Sequence, residues 1–353
     1  MGRTKPIVLD PYPLVKPLLL RFDPETAHEI TLRALAAGLV PAQPPLDDPI
    51  LAVDLFGRRL AHPIGLAAGF DKNARVFGRM FGQGFAFVEV GGVTPLPQAG
   101  NPRPRVFRLP ADAAVINRMG FPNAGAATVE RRLAARARDG LLGVNVASNS
   151  GSDDPLRDFT DLVRRFARYA EYVTLDISCP NTTNGQLFLD PGRLRGLLDA
   201  VAALPLLAPR PAIVIKLSPD IAAETLPALL DVMLDVGVDG IIVSNTTAQR
   251  PALTGAQRGQ AGGLSGRPLF AASTAQLAAV HAYTGGRIPL IGVGGVADGA
   301  SAYAKIRAGA RALQLYTALI YGGTATVARI GRELAALLRR DGFTSIAQAA
   351  GAR

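Results

Sequence analysis

Beyond residue 60 the chain alternates between two hydrophobic patterns. Short, nearly uninterrupted apolar runs lie at 64–68, 87–90, 142–146, 173–177, 212–217, 240–244, 289–293 and 312–316. Between them, stretches at 124–138, 158–170, 193–203, 223–236, 270–281 and 301–308 carry apolar residues at helical spacing. A strand with one wet face alternates apolar and polar residues, so continuous runs predict parallel strands covered on both faces. Eight of them with helices between predict an α/β fold, a (β/α)8 TIM barrel. A doubly wound open sheet is the competing architecture. Against it, no Gly-x-Gly-x-x-Gly follows the first strand, and eight repeats exceed what that sheet needs.

The residues ahead of the barrel follow a different pattern. A helix is predicted over 24–39, opened by Asp23 as N-cap with Pro24 at the first helical position. Its Ala27, Ile30, Ala34, Leu35 and Leu39 fall roughly on one face. A shorter helix over 15–21 precedes it, and the two together predict a small helical hairpin with an apolar surface. Residues 52–60 predict a strand pair turning at Phe56-Gly57 and closing the bottom of the barrel. The chain thus divides into an N-terminal helical extension, 1–45, and a barrel, 46–345.

Composition narrows the classes. With 48% hydrophobic and 19% charged residues the chain is globular, not disordered. A single cysteine, Cys179, excludes a disulfide framework, leaving it a core residue or a reactive thiol. The three histidines are scattered, so no metal site is expected. A formal net charge of +10 favours anionic partners, but the arginines are dispersed and nucleic acid is not expected. No apolar run approaches the ~20 residues that span a bilayer, and the start shows no secretory-signal pattern. The expectation is a cytosolic protein whose membrane contact is peripheral.

In such a barrel, chemistry gathers where strands end, on the C-terminal face. Those ends carry Ala67-Ala68-Gly69-Phe70-Asp71-Lys72, Gly91-Gly92, Asn145, Ser178-Cys179-Pro180-Asn181, Lys216, Ser244-Asn245-Thr246, Gly294-Gly295 and Tyr316-Thr317. The Gly-Gly turn after strand seven, with Tyr316-Thr317, suits a phosphate, because glycine lets backbone N–H groups approach it. Gly262-Gly263-Leu264-Ser265-Gly266 would continue that cradle. Lys72 and Lys216 end different strands at one mouth, which suggests a bound anion or a cofactor anionic when reduced. Cys179 sits at a strand end against Pro180, which makes it a candidate for chemistry.

The segments Ala67–Lys72, Asn117-Arg118-Met119-Gly120-Phe121, Ser178-Cys179-Pro180-Asn181-Thr182, Gly262–Leu269 and Ile291–Gly295, in this order, resemble dihydroorotate dehydrogenase. The resemblance runs from Phe22 to about Gly322. The N-terminal extension is similar to that of the quinone-reducing, membrane-associated class. The resemblance implies a barrel holding FMN, proton transfer from C5 of dihydroorotate to a side-chain base, and hydride transfer from C6 to flavin N5. Orotate is the product, a ubiquinone-type quinone takes the electrons, and the site is the cytoplasmic face of the inner membrane. Carried over residue by residue, Cys179 is the base. Lys72, Asn117, Arg118, Met119, Gly120, Phe121, Asp176, Asn181, Asn245 and Thr246 bind the pyrimidine. Ala68, Gly69, Phe70, Asp71, Lys72, Gly92, Asn145, Asp176, Lys216, Ser244, Gly266, Gly295, Tyr316 and Thr317 hold FMN.

The departures are as informative as the matches. The membrane-associated class ordinarily has a serine base, whereas cysteine belongs to its soluble relatives. A free thiol has a pKa of about 8.5, so a rate plateau at lower pH than in serine-containing relatives is expected. Asp176 stands where the family usually has Asn. It would raise the Cys179 pKa and weaken orotate binding unless Lys72 or Lys216 neutralises it. Gly92 and Ser148 replace the usual Thr and Lys. Alternative readings are the same barrel with fumarate or NAD as acceptor, a dihydropyrimidine dehydrogenase-like flavoenzyme, and a basic membrane-surface barrel with a decayed flavin site.

Overall fold

The computed structural model describes residues 10–137, 140–182 and 184–352. Residues 1–9 of the expected extension and position 138 of one expected helix lie outside them. In chain order, the extension gives α1 (Tyr12–Leu19) and α2 (Pro24–Ala36), followed by β1 (Val53–Leu55) and β2 (Arg58–Leu60). The first half of the barrel follows with β3 (Ile64–Leu66), α3 (Phe77–Gly82), β4 (Phe87–Val93), β5 (Val106–Leu109), β6 (Ala114–Asn117), α4 (Ala126–Ala134), β7 (Leu141–Val146) and α5 (Pro155–Phe166). Then come β8 (Tyr172–Asp176), α6 (Pro191–Ala202), β9 (Ala212–Leu217), α7 (Leu226–Val236), β10 (Gly240–Val243), β11 (Gly263–Gly266) and α8 (Phe270–Thr284). The chain ends with β12 (Leu290–Gly292), α9 (Gly299–Arg307), β13 (Ala312–Leu315), α10 (Thr317–Gly322), α11 (Ala325–Arg340) and α12 (Ile346–Ala349).

Strands β3, β4, β7, β8, β9, β10, β12 and β13 pair in parallel and close into a barrel, as the eight apolar runs predict. Every residue of β4, β7 and β8 is buried, because the helix layer covers one face and the barrel interior fills the other. The covering helices are amphipathic. In α5, Asp154 caps by accepting from the Arg157 N–H at 3.0 Å and Pro155 opens the first turn. Phe159, Leu162, Val163 and Phe166 then bury one stripe against the strands. Fully burying each such side chain contributes roughly 1.5–3 kcal/mol.

The hairpin β1–β2 pairs Val53 with Leu60 and Leu55 with Arg58, turning at Phe56 and Gly57. The Phe56 ring lies 5.2 Å from that of Tyr172, the first residue of β8. The hairpin therefore plugs the N-terminal end of the barrel, and the C-terminal end is left as the mouth.

Three features differ from the sequence expectation. First, β5, β6 and β11 form a separate antiparallel sheet with its own small core of Phe107, Leu109, Ala114, Ile116 and Leu264. Strands β5 and β6 form a hairpin within one loop and β11 joins it from a distant one, and strands this short carry little pattern to announce the pairing. Second, α11 is an amphipathic helix that buries Ile330, Leu334 and Leu338 and packs on α9; the sequence reading leaves it unassigned. Third, the extension helices are shifted or shorter than expected. Helix α2 stops at Ala36, where the Leu39 N–H returns to Ala34 O at 2.9 Å and ends the spiral.

The expected face of α2 is also two faces. Leu32 and Leu35 are buried against the core, whereas Ile30 and Leu39 remain 38% and 75% exposed. Glu25 accepts from the buried Arg105 at 2.9 Å, and Arg75 reaches Glu29 at 2.7 Å, so α2 is tied to the barrel at two successive turns. Helix α1 leans on α10 instead, with Tyr12 OH donating to Ile320 O and Lys16 Nζ to Tyr321 O, both at 2.7 Å.

Candidate active site

One cavity of about 1280 Å³ runs from the barrel mouth, under the β5–β6–β11 sheet, to the apolar side of α1 and α2. Its inner end is polar and its outer end apolar. Ligand cavities are usually ~300–1,000 Å³, so this one has room for more than one ligand.

The inner end is built on strand register. Asp176 at the end of β8 lies directly across from Lys216 on β9, so parallel pairing points both side chains the same way. The Lys216 Nζ is 3.5 Å from Asp176 Oδ2, and both groups are buried. Of the two lysines expected to neutralise Asp176, Lys216 is the one that reaches it. Asn245 Nδ2 donates to Asp176 Oδ1 at 3.1 Å and to Ser178 Oγ at 3.2 Å. Asn145 Nδ2 donates to Asp176 Oδ2 at 3.4 Å and to Glu89 Oε1 at 3.0 Å. Carboxylates accept only, so the Asn145 amide is held with its nitrogen toward them. Its Oδ1 is buried and has no partner among the described residues.

Glu89 escaped the sequence reading. It is fully buried at the centre of β4, where it also accepts from Gln314 Nε2 at 2.7 Å and Tyr172 OH at 3.1 Å. Burial pushes its pKa up, while Lys216 and its three donors act in the opposite sense. The legible signal was an acid inside an otherwise apolar strand, a residue type almost never buried without partners.

Cys179 is buried and lines the cavity three residues beyond Asp176. Burial, and after it the Asp176 carboxylate, pushes the thiol up to about 12. The Asn181 N–H, the Thr182 hydroxyl and Lys216 pull the other way without reversing the shift. The expected advantage of a thiol as an easy base is therefore cancelled by its surroundings.

Lys72 lies across the cavity with its Nζ donating to Gly69 O at 2.5 Å. Burial lowers its ammonium to about 8, partly offset by Glu25. His28 of α2 stacks edge-on against Phe70 at 5.2 Å, and burial followed by the Lys72 charge holds it down to about 3, a neutral imidazole.

Most expected site residues border this cavity. Ala68, Gly69, Phe70, Lys72, Gly92, Asn145, Asp176, Lys216, Ser244, Gly266, Gly295, Tyr316 and Thr317 do so, as do Asn117, Met119, Gly120, Phe121, Asn181, Asn245 and Thr246. Asp71 and Arg118 do not. Asp71 is fully buried and accepts from the Arg75 and Val76 N–H groups at 2.8 and 2.6 Å, so it folds the loop after β3. Arg118 is turned onto Gln260 Oε1 and Ala261 O, both at 3.1 Å, and covers the Phe107 ring at 4.6 Å. Both side chains are held by partners within the chain. Gly92 is also explained, since a Cβ there would lie 2.6 Å from the Phe121 ring, which occupies the space of a larger side chain.

Comparisons with known proteins accord with this geometry. The dihydroorotate dehydrogenase family profile matches residues 50–338. The chain is 49% identical over 346 residues to a dihydroorotate dehydrogenase (quinone) of Parvibaculum lavamentivorans, covering 98% of this chain and 99% of that protein. It is 44% identical to the mitochondrial dihydroorotate dehydrogenase (quinone) of Mus musculus, over 93% and 86% of the two chains. Among solved structures, a ferulenol complex of the Eimeria tenella enzyme superposes with a TM-score of 0.89 at 38% identity, covering 93% and 95%.

Proposed function

Because the chain belongs to the dihydroorotate dehydrogenase family, we propose that the inner cavity oxidises dihydroorotate to orotate over FMN, with Cys179 as the base. The activity, in pyrimidine biosynthesis with a quinone as electron acceptor, follows from family membership. The observation that carries the site assignment is the convergence of the thiol, Lys72, Asn117, Asn181 and Asn245 on one cavity. Its glycine wall at Gly294 and Gly295 adopts the left-handed backbone, φ +94° and +78°, that a close phosphate cradle uses.

FMN fits the inner end on two grounds. Asn145 Oδ1 is a buried acceptor in want of an N–H donor, which a flavin ring supplies. Lys216 offers a fixed positive charge where negative charge develops on reduction. When bound, FMN supplies the two-electron acceptor for the substrate's hydride.

The remaining work belongs to the chain. Lys72, Asn117, Asn181 and Asn245 hold the pyrimidine and its carboxylate, with Met119, Gly120, Phe121 and Thr246 closing around it. Cys179 Sγ removes the C5 proton, and the Asn181 N–H and Thr182 hydroxyl stabilise the thiolate as it forms. Asp176 opposes that ionisation. It also shares Lys216, which leaves that lysine less free to stabilise reduced flavin than a lone lysine would be.

The outer end serves the quinone. Val15, Leu19, Ile30 and Leu39 line it, and Leu14 and Leu18 outside it are 85% and 56% exposed. Among the described residues no helix is long and apolar enough to cross a membrane. We assign residues 1–45 as the quinone-access extension, resting peripherally on the cytoplasmic face of the inner membrane, with 46–345 as the catalytic barrel. The test is flavin absorbance of the purified protein. Dihydroorotate should bleach it, and a short-chain quinone should restore it faster than fumarate or NAD. Restoration by fumarate or NAD alone would overturn the assignment of the outer end.

A further inference from the structure

We propose that Lys305 is a positioning residue and the buried counter-charge of the phosphate turn, selecting a flavin that carries a phosphate over one that does not. The proposal rests on the FMN reading above. Lys305 projects from α9 and is fully buried. An ammonium is withdrawn from water at a cost that some partner must offset. Its Nζ donates to Ser273 Oγ at 2.8 Å and Thr274 Oγ1 at 3.2 Å, and lies 5.5 Å from the centre of the Phe270 ring. These neighbours are neutral, and no carboxylate pairs with Lys305 among the described residues. Burial alone lowers the ammonium to about 7.

The same neighbours form the back of the glycine turn. Ser273 Oγ is 3.1 Å from Gly294 O and 3.2 Å from Phe270 O, so its one proton is shared between the turn and the start of α8 while its lone pair takes the Lys305 donor. In a planar trans peptide, a Gly294 carbonyl facing Ser273 turns the Gly295 N–H to the opposite side. Phe270 packs directly on Gly295, where a Cβ would lie 2.5 Å from Phe270 Cβ. Lys305 thus reaches both glycines through one intervening residue each. Charge in so dry a place acts strongly, and donation from Lys305 polarises the Ser273 hydroxyl that fixes the turn. A phosphate on the cavity side of the turn would lie on the face to which the Gly295 N–H is directed.

Arg329 and Arg267 are the competing sources of charge. Both line the cavity, but Arg267 is exposed and the Arg329 side chain is 45% exposed and paired with Glu333. Salt separates them from Lys305, since buried charges are screened far less than exposed ones.

The experiment is flavin exchange on the purified, flavin-loaded full chain, titrated with riboflavin and with FMN and read by fluorescence. The unaltered protein should prefer FMN and keep that preference in roughly 1 M salt. Lys305→Met and Lys305→Gln should lose roughly tenfold or more of the preference, with riboflavin affinity unchanged as the measure of an intact fold. The glutamine retains polar contact with the hydroxyls and lacks the charge, so it carries the test if the methionine variant does not fold. Equal weakening of both flavins, or an unchanged preference in the variants, would overturn the role of Lys305. Loss of the preference in salt on the unaltered protein overturns it as well and points to the exposed arginines, Arg267 and Arg329. If the unaltered protein shows no preference for FMN, the phosphate-turn reading itself fails.

Discussion

The two ends of the cavity are built by opposite means. At the inner end Glu89, Asp176 and Lys216 are all buried, and each is held by a partner of fixed geometry: an amide, a phenol or an opposing charge. At the outer end Leu14, Leu18 and Leu39 are 85%, 56% and 75% exposed, and the polar ties of this region, from Arg75, Arg105 and Arg108 of the barrel, hold its helices without covering those side chains. One end keeps charge dry, whereas the other leaves apolar surface wet. Contiguous exposed apolar surface marks an interaction site. A dry charged network marks a site preorganised for charge movement.

The comparison breaks most sharply at the thiol. Cys179→Ala should lower flavin bleaching by dihydroorotate by roughly 10²–10⁴-fold, the usual size of general-base catalysis. Stopped-flow absorbance should show reoxidation by quinone unaffected. A variant that still bleaches at the original rate removes Cys179 from the mechanism.

Next in size is the tie between the ends. Glu25→Gln leaves the buried Arg105 without its carboxylate. Since Arg105 keeps Ala99 O and Asn101 O, the loss should be about 2 kcal/mol rather than the full cost of a broken buried pair. Calorimetry would register it as a lower Tm.

Asp176→Asn sharpens the account of the inner end. Removing the carboxylate takes away the second-largest cause of the raised thiol pKa, so the alkaline limb of the bleaching rate should move to lower pH. In the unaltered protein that limb should still be rising above pH 9, because a base held at about 12 gains thiolate throughout that range. Orotate affinity should tighten by roughly threefold to tenfold as one negative charge leaves the site. Weaker orotate binding in the variant would show that Asp176 accepts a hydrogen bond from the ring.

The smallest effect belongs to the outer surface. Leu14→Ala and Leu18→Ala should each weaken sedimentation with anionic vesicles by a few-fold, about 1 kcal/mol or less. Turnover with a short-chain soluble quinone should stay the same.

Much of this was legible in the chain before folding, for definable reasons. The eight barrel strands are buried on both faces, and that burial writes itself as uninterrupted apolar runs. Asp23 and Pro24 announce α2 because capping is local. The β5–β6–β11 sheet was not legible, because its strands are only four residues long and β11 joins the local β5–β6 hairpin from a distant loop. The side-chain bonds of Arg118 were not legible either, because they reach a distant loop, whereas those of Asp71 are local, to the Arg75 and Val76 N–H groups.

By itself the sequence determined the barrel, the family and the set of groups at the strand ends, because period, capping and motif order are properties of neighbouring residues. Tertiary structure decided what those groups can do. Register placed Asp176 opposite Lys216, and not Lys72, since only paired strands bring distant positions side by side. Enclosure turned Cys179 from an easy base into a reluctant one, because desolvation depends on everything packed around a group and on nothing in its local sequence.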